Sequence, residues 1–212
     1  MVLARIFEGK SNGVYVDVGA HHPIRFSNTY MFYLRGWSGI NVDAMPGSME
    51  AFRKLRPRDC NVEALISNKS GSVKYYLFND FAMNTCDAEL ARQRDGLAHF
   101  RLTGTRTLQP QSLSAILEKH FPAGREIDFM SVDVEGWDLD VLESNNWQKF
   151  RPAIVLIEDC LLSMDHALES PGARFLRQRG YALFAKTVNT LFFRREEPRS
   201  GSQSAEVQRS QT

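Results

Sequence analysis

Short apolar runs rich in β-branched residues alternate along the chain with segments whose apolar residues recur every three to four positions. The first pattern predicts buried strands, and the second predicts helices with one apolar face. Their alternation predicts βαβ units around a mostly parallel sheet. Predicted strands cover residues 13–19, 39–43, 60–66, 73–78, 127–133 and 152–158, and predicted helices cover 27–37, 46–55, 113–121, 138–142 and 172–179.

Three segments depart from this alternation. Residues 181–195 carry a Val-Asn-Thr turn between two apolar halves, which predicts an antiparallel hairpin at the sheet edge. Residues 79–107 show no sustained periodicity, and so long a loop is usually a lid, a binding segment or disordered. Residues 196–212 have almost no apolar side chains, so we expect a disordered tail there.

Size and composition limit the functional classes. The 212 residues suffice for one α/β domain with a substantial core, which we assign to residues 1–195. The net charge of +1 and the scattered basic residues indicate no nucleic-acid partner. The basic cluster at residues 52–59 is interpreted as a solvated helix face. So little sequence precedes the first strand that we expect no N-terminal helix over the sheet.

Several features of the sequence are typical of a cytoplasmic protein. The longest apolar runs are too short to span a bilayer, and the first residues lack a signal peptide. Cys60, Cys86 and Cys160 are widely spaced and show no metal-ligand spacing, which favours a reducing compartment.

Four predicted strands end in an acidic residue: Asp17, Asp43, Asp133 and Glu158. In open α/β sheets, ligands bind beyond the carboxyl ends of the strands, so these carboxylates would border one site. Gly19 follows Asp17, and its missing Cβ lets the backbone approach a ligand closely. A fixed negative charge here favours a nucleoside cofactor that carries positive charge over a nucleotide that carries pyrophosphate.

The acids after the second and fifth core strands suggest separate roles. Asp43 stands where a carboxylate accepts hydrogen bonds from ribose hydroxyls, the alternative being a turn aspartate. Asp133 and Glu135 precede Gly136, which permits a tight turn, and they should border the group to be transferred. Alternatively, Glu135 begins a helix and interacts with its dipole.

Taken together, these segments resemble the FkbM-type family of S-adenosylmethionine-dependent methyltransferases. The resemblance covers roughly residues 9–160 and rests on VYVDVGAHHP, SNTYMFYLRGWSGINVDAMP, RDCNVEALISNKSG, IDFMSVDVEGWDLDVLESNNW and RPAIVLIE. It implies an α/β class I methyltransferase (Rossmann-like) fold: a mostly parallel seven-stranded sheet flanked by helices, with an antiparallel C-terminal hairpin. It also implies S-adenosylmethionine as the methyl donor.

The resemblance further implies which residues hold the cofactor. They are Asp17, Gly19, Ala20, His21, Asn28, Thr29, Asp43, Ala44, Glu63, Ala64 and Asp133. Those up to Thr29 would surround the methionine part, Asp43 would hold the ribose, and Glu63 with Ala64 would border the adenine. The sequence departs from the family pattern in having His-His-Pro after Ala20, where many methyltransferases have another glycine.

A hydroxyl acceptor must lose its proton as the new bond forms. Candidates for this role are His21, His22, Asp133, Glu135 and Glu158. A histidine titrates near neutrality, although a histidine beside a proline is equally typical of a turn in which the ring binds the backbone. Alternatively, the three acids would hold a divalent ion, magnesium by ligand type, that acidifies the acceptor.

The acceptor implied by the resemblance is a small molecule or glycan that offers a hydroxyl, on a sugar or a secondary metabolite. Specificity is expected from residues 79–107 and 161–171, where Phe81 and Phe100 would stack on a sugar or pack a lid. A Rossmann-type oxidoreductase is disfavoured because residues 17–20 lack the spaced glycines that admit pyrophosphate. A non-catalytic cofactor-binding protein of the same fold stays open, as does the oligomeric state.

Overall fold

A computed structural model describes residues 2–158 and 163–197. The strands are β1 (Val14–Val18), β2 (Ser38–Asp43), β3 (Cys60–Glu63), β4 (Val73–Phe78), β5 (Leu102–Leu108), β6 (Phe129–Val132), β7 (Ile154–Glu158), β8 (Tyr181–Lys186) and β9 (Thr190–Arg195). The α-helices are α1 (Val2–Ile6), α2 (Tyr30–Leu34), α3 (Met49–Leu55), α4 (Ala88–Arg94), α5 (Leu113–His120), α6 (Asp138–Glu143) and α7 (Pro171–Gln178), with a 3-10 turn at Phe81–Met83.

Seven strands form one sheet in the order β3-β2-β1-β6-β7-β9-β8. The pairs β1–β2, β2–β3, β1–β6 and β6–β7 are parallel, whereas β9 runs antiparallel to both β7 and β8. The predicted mostly parallel seven-stranded sheet and its C-terminal hairpin are thereby confirmed. The strand order reverses at β1, so the carboxyl ends of β1, β2 and β6 open onto the crevice where such sheets bind ligands.

The central strands are covered on both faces, which explains their nearly continuous apolar sequences. On one face, the core side chains of β1, β2 and β6 pack with those of α5, α6 and α7. On the other face, an aromatic cluster around Phe129 packs against α1 and α2. The prediction of no N-terminal helix is wrong, because α1 buries Leu3 in that cluster.

Several predicted boundaries shift. The helix predicted over residues 27–37 begins only at Tyr30, whose backbone N–H donates to Ser27 Oγ (3.1 Å). It ends before Gly36, which has a left-handed backbone (φ +91°). The third strand ends at Glu63 rather than at residue 66, since Ile66 pairs with Gln111 instead.

The loop predicted over residues 79–107 is largely ordered structure. β5 pairs antiparallel with β4, and α4 begins at a cap in which Asp87 Oδ1 accepts from the backbone N–H groups of Glu89 and Leu90. β5 exposes most of its side chains, which is why its sequence carries no apolar alternation. We call residues 79–108 the excursion, because this segment begins directly after β4 and returns to the main domain along β5.

The basic cluster at residues 52–59 is only partly a solvated face. Arg53 and Lys54 are exposed as predicted, and Leu55 beside them is exposed as well (50 %). Arg56 is fully buried (0 % exposed), and Asp59 is buried beside it. The solvated interpretation is therefore wrong for this pair.

Some expectations fall outside the described residues: Cys160, the beginning of the segment at 161–171, and the tail from residue 198 onward. Cys60 and Cys86 are free thiols. Among the helices of the described ranges, none has the length and apolar character needed to cross a bilayer.

The turn after β1 depends on Gly19, which has a left-handed backbone (φ +82°) and lies against the strand-end backbone of β6. A Cβ at this position would lie 1.7 Å from the carbonyl oxygen of Asp133. We expect Gly19→Ala to lower the free energy of unfolding by about 3 kcal/mol or more, since backbone strain and a backbone clash add. Urea denaturation measures this loss.

The matched control is Gly47→Ala. Gly47 has nearly the same φ (+81°), but a Cβ there would meet no atom within 4 Å. Its cost should therefore be the left-handed backbone strain alone, about 1 kcal/mol. Equal losses for the two variants would show that the close approach to Asp133 does not constrain the turn.

Candidate functional site

One open cleft lies at the carboxyl edge of the sheet, bordered by the ends of β1, β2 and β6 and by the excursion. The predicted cofactor residues line it with two exceptions, Thr29 and Glu63. Other residues that line the cleft were not predicted from the sequence, among them Phe26, Tyr75, Asn84, Cys86 and Trp137. Of the two predicted stacking aromatics, Phe81 lines the cleft, whereas Phe100 packs against His99.

The turn after β1 folds back onto the end of β2. The backbone N–H groups of Gly19 and Ala20 both donate to the carbonyl of Val42 (2.9 and 3.1 Å). The next N–H, that of His21, donates to Asp43 Oδ2 (2.9 Å). Left-handed backbone at Gly19 and His21 permits this path, and it brings the Asp43 carboxylate against the turn.

Asp17 is the buried acid beneath this turn. Its carboxylate is 5 % exposed and accepts a hydrogen bond from Thr29 Oγ1 (2.8 Å). Burial raises the pKa of Asp17 to about 6, while the Thr29 hydroxyl and the charge of Arg56 act in the opposite direction. A cationic ligand group placed beside it would favour the ionised carboxylate.

Asp43 is held at the end of β2 by two backbone donors. Oδ1 accepts from the N–H of Met45 (2.8 Å), and Oδ2 accepts from that of His21. Burial raises the pKa of Asp43, and these backbone hydrogen bonds oppose the rise. Each carboxylate oxygen can accept a second hydrogen bond, so a ligand diol can bind without displacing either backbone donor.

The third strand end contributes less than predicted. Ala64 lines the cleft next to Ala44 and the β2 end. Glu63 is exposed, does not line the cleft, and accepts a hydrogen bond from the backbone N–H of Gly47 (2.8 Å). The carboxylate of Glu63 therefore braces the turn before α3 rather than the cleft.

The two histidines lie differently. His21 lines the cleft, but His22 does not. The Nδ1 atom of His22 accepts hydrogen bonds from the backbone N–H groups of Ile24 and Arg25 (both 3.0 Å), which is the turn arrangement considered as the alternative. Desolvation, followed by the charges of Arg25 and His21, lowers the pKa of His22.

The start of α2 separates the two residues of its Asn-Thr pair. Asn28 lines the cleft and donates from Nδ2 to Ser131 Oγ on β6 (3.1 Å). Thr29 is fully buried and reaches the site only through its hydrogen bond to Asp17. Thr29 thus supports the site without touching the cleft.

Three predicted acids come together beyond β6 and β7. Asp133, Glu135 and Glu158 each place a carboxylate oxygen within 4.8 Å of the others. Although Asp133 is open to the cleft, the surrounding walls desolvate it and raise its pKa well above the usual range, and the charges of Glu158 and Glu135 add to the rise. Burial and the charge of Glu158 also raise the pKa of Asp138, to about 7.

Glu135 connects this acidic cluster to the excursion. Its side chain forms an ion pair with Arg94 at the end of α4, and its carbonyl accepts from Thr85 Oγ1 (2.8 Å). Its backbone is left-handed (φ +57°), which is strained for a residue with a Cβ. Arg94 was missed in the sequence because the segment that contains it shows no helical periodicity.

The crowding of carboxylates predicts a pH-dependent stability change in Asp133→Asn. Because the folded-state pKa of Asp133 is raised, the protonated form contributes stability that is present at low pH and is lost as the pH rises through that pKa. Removing the charge should therefore raise the melting temperature of the ligand-free protein at about pH 9 by roughly 2–4 °C, a size limited by water in the open cleft. Near about pH 4 the difference should vanish.

Asp128→Asn serves as the contrast in the same calorimetric scans. Asp128 pairs with Lys10 and accepts from the backbone N–H of Val14 (2.9 Å), so its charge has favourable partners. This variant should lower the melting temperature. A lower melting temperature for Asp133→Asn at high pH would contradict the repulsion inferred for the acidic cluster.

Comparisons with known proteins bear on this site. The sequence model of the family described as "Methyltransferase FkbM domain" matches residues 17–183. No curated protein matches the chain. Among solved structures, the chain is similar to precorrin-6y C5,15-methyltransferase from Geobacter metallireducens GS-15, with 10 % sequence identity, a TM-score of 0.45, and coverage of 88 % of this chain and 82 % of that one.

The family match extends over most of the chain, from Asp17 into the first strand of the C-terminal hairpin. It therefore includes every acid at the strand ends that border the cleft. The protein accordingly belongs to the FkbM methyltransferase domain family and is a methyltransferase.

Proposed function

We propose that the protein is an S-adenosylmethionine-dependent O-methyltransferase that acts on a hydroxyl of a sugar, glycan or secondary metabolite. The observation that carries the cofactor assignment is the charge of the cleft. Asp17, Asp43, Asp133 and Glu135 line it, and the described lining residues include no lysine or arginine. Such a surface suits a sulfonium and an ammonium group and repels the pyrophosphate of a dinucleotide.

The backbone geometry also fits a nucleoside donor. The Gly19 turn leaves no room for a side chain, and Asp43 offers acceptor capacity at the end of the neighbouring strand. A ribose diol on Asp43 and a cationic methionine end near Asp17 would place the cofactor across the ends of β1 and β2. These two strands are direct neighbours in the sheet, where Asp17 pairs with Asn41. Ala44 and Ala64 offer small side chains beside which a base can lie.

Methyl transfer from a sulfonium is an in-line displacement, so most of the rate enhancement can come from positioning. The cofactor, when bound, supplies an electrophilic methyl group. In its ionised form, which a bound cationic cofactor would favour, Asp133 removes the proton of the acceptor hydroxyl, and its raised pKa makes that form a stronger base than an ordinary carboxylate. His21 lines the same cleft and is the second candidate for this role.

The acceptor wall is aromatic. Phe26, Tyr75, Phe81 and Trp137 line the cleft, and Phe26 is 92 % exposed with a left-handed backbone (φ +56°). Aromatic faces suit the C–H surface of a sugar ring or the plane of a secondary metabolite. Both the exposed Phe26 and the half-exposed Phe81 stand free to contact such a molecule.

The test is calorimetric titration with S-adenosylhomocysteine. Asp43→Asn should weaken the binding of S-adenosylhomocysteine about 10- to 100-fold, because that is the affinity that hydrogen bonds to a charged group typically contribute. Glu63→Gln is the matched control, because it ends the neighbouring parallel strand but does not line the cleft. Its affinity should equal that of the wild type.

Two outcomes would overturn the proposal. Tight binding of a dinucleotide with none of S-adenosylhomocysteine would identify an oxidoreductase. Binding of S-adenosylmethionine without methyl transfer to a broad panel of hydroxylated glycans and metabolites would identify a non-catalytic member of the fold.

A divalent cation such as Mg²⁺ on Asp133, Glu135 and Glu158 is the alternative use of the acidic cluster, because carboxylate oxygens suit it. The geometry favours proton transfer instead, since Glu135 is already paired with Arg94, whose charge would repel a cation. We therefore expect activity to survive dialysis against a chelator. We also expect millimolar Mg²⁺ to shift the melting temperatures of wild type and Asp133→Asn equally. A larger shift for the wild type would establish the cation site.

A further inference from the structure

We propose that Arg56 is a positioning residue of the cofactor site, which holds the loop after β1 and acts on Asp17 through the hydroxyl of Thr29. The inference rests on the proposed function, because it concerns the same cofactor site. Arg56 does not line the cleft, so its influence must pass through other groups.

Arg56 is fixed beneath the sheet edge by two buried partners. Its Nε atom donates to Asp59 Oδ2 (2.8 Å), and the side chains of both residues are fully buried. Its Nη2 atom donates to the hydroxyl of Tyr15 (2.8 Å), which in turn donates to Asp59. This arrangement neutralises the buried guanidinium and fixes the plane of its remaining donors.

The remaining donors of Arg56 all point to the loop between β1 and α2. Nη1 lies 3.4 Å from the carbonyl of Pro23 and 3.3 Å from Ser27 Oγ, and Nη2 donates to Thr29 Oγ1 (3.0 Å). This loop carries Phe26 and Asn28, both of which line the cleft. A single buried side chain therefore ties down the segment that forms one wall of the site.

The direction of the hydrogen bonds follows from the chemistry of the guanidinium. Arginine has donors only, so Thr29 Oγ1 must accept from Arg56. The single hydroxyl proton of Thr29 is then directed to Asp17 Oδ2 (2.8 Å). The chain Arg56–Thr29–Asp17 thus favours the ionised carboxylate beside the proposed cofactor.

Other charged groups also act on Asp17. Arg56 stabilises its ionised form, whereas Asp59 and Asp43 destabilise it, and Asp17 in turn interacts with Asp133. Variants of hydroxyl residues leave all of these charges in place. A change in the titration of Asp17 in such a variant therefore reports the hydrogen-bond chain itself.

The experiment measures S-adenosylhomocysteine affinity as a function of pH in Thr29→Val and Tyr15→Phe. Each variant removes one of the two hydroxyls that Arg56 Nη2 contacts, but only Thr29→Val cuts the path to Asp17. Wild-type affinity should fall as the pH drops through about 6, where Asp17 becomes protonated. In Thr29→Val this fall should begin about one pH unit higher. At pH values below the pKa of Asp17, the variant should therefore bind S-adenosylhomocysteine about tenfold more weakly than the wild type.

Thr29→Ser, which retains the hydroxyl, should keep the wild-type pH profile. Tyr15→Phe removes a partner that fixes Arg56 but leaves the Thr29–Asp17 hydrogen bond in place, so it should shift the profile by less than Thr29→Val does. Arg56→Lys keeps the charge but loses the planar fork, and it should move the profile in the same direction as Thr29→Val. The double variant should weaken binding by less than the product of the two single effects, because both act through one hydroxyl. If Arg56→Lys does not fold, the three hydroxyl variants decide.

The outcomes separate the two proposals. A wild-type protein that does not bind S-adenosylhomocysteine would overturn the proposed function. Wild-type binding with an unshifted pH profile in Thr29→Val, or with a shift in Thr29→Val that Arg56→Lys does not share, would overturn the positioning role of Arg56 and leave the function standing.

Discussion

The concentration of carboxylates at one edge of a parallel sheet is the constraint on which the rest of the site depends. Asp17, Asp43 and Asp133 lie at adjacent strand ends, and Glu158 joins them from the next strand. Such a cluster is unfavourable in an empty cleft, because the charges repel and burial penalises ionisation. The raised pKa values of Asp17, Asp43 and Asp133 express that cost.

Two arginines offset the cluster from outside the cleft. Arg56 lies buried beneath the β1 end and reaches Asp17 through Thr29, while Arg94 pairs with Glu135 from the excursion. Neither residue lines the cleft, so the surface offered to a ligand stays acidic. The two arginines have ionic partners of their own, Asp59 and Glu135, so neither leaves an unpaired charge behind the cleft.

The backbone around the cleft is shaped by close approach. Gly19 lies against the carbonyl of Asp133, and His21 and Glu135 adopt left-handed conformations that cost energy for residues with a Cβ. Each of these conformations places a donor or an acid at the cleft: the His21 N–H on Asp43, and the Glu135 side chain beside Arg94. Thr85 of the excursion donates to the carbonyl of Glu135, so the excursion and the acidic cluster are directly joined.

The sequence by itself determined the mostly parallel α/β architecture, the acids at the strand ends and the family. The first two follow from local periodicity and from residues that directly follow apolar runs, whereas the family follows from the resemblance of whole segments. Only the tertiary structure decided which neighbouring residues differ in role: His21 lines the cleft whereas His22 binds its own turn, and Arg56 is buried whereas Arg53 is exposed. The reason is physical, since the environment of a polar side chain is set by distant elements that pack against it, and no local pattern records them.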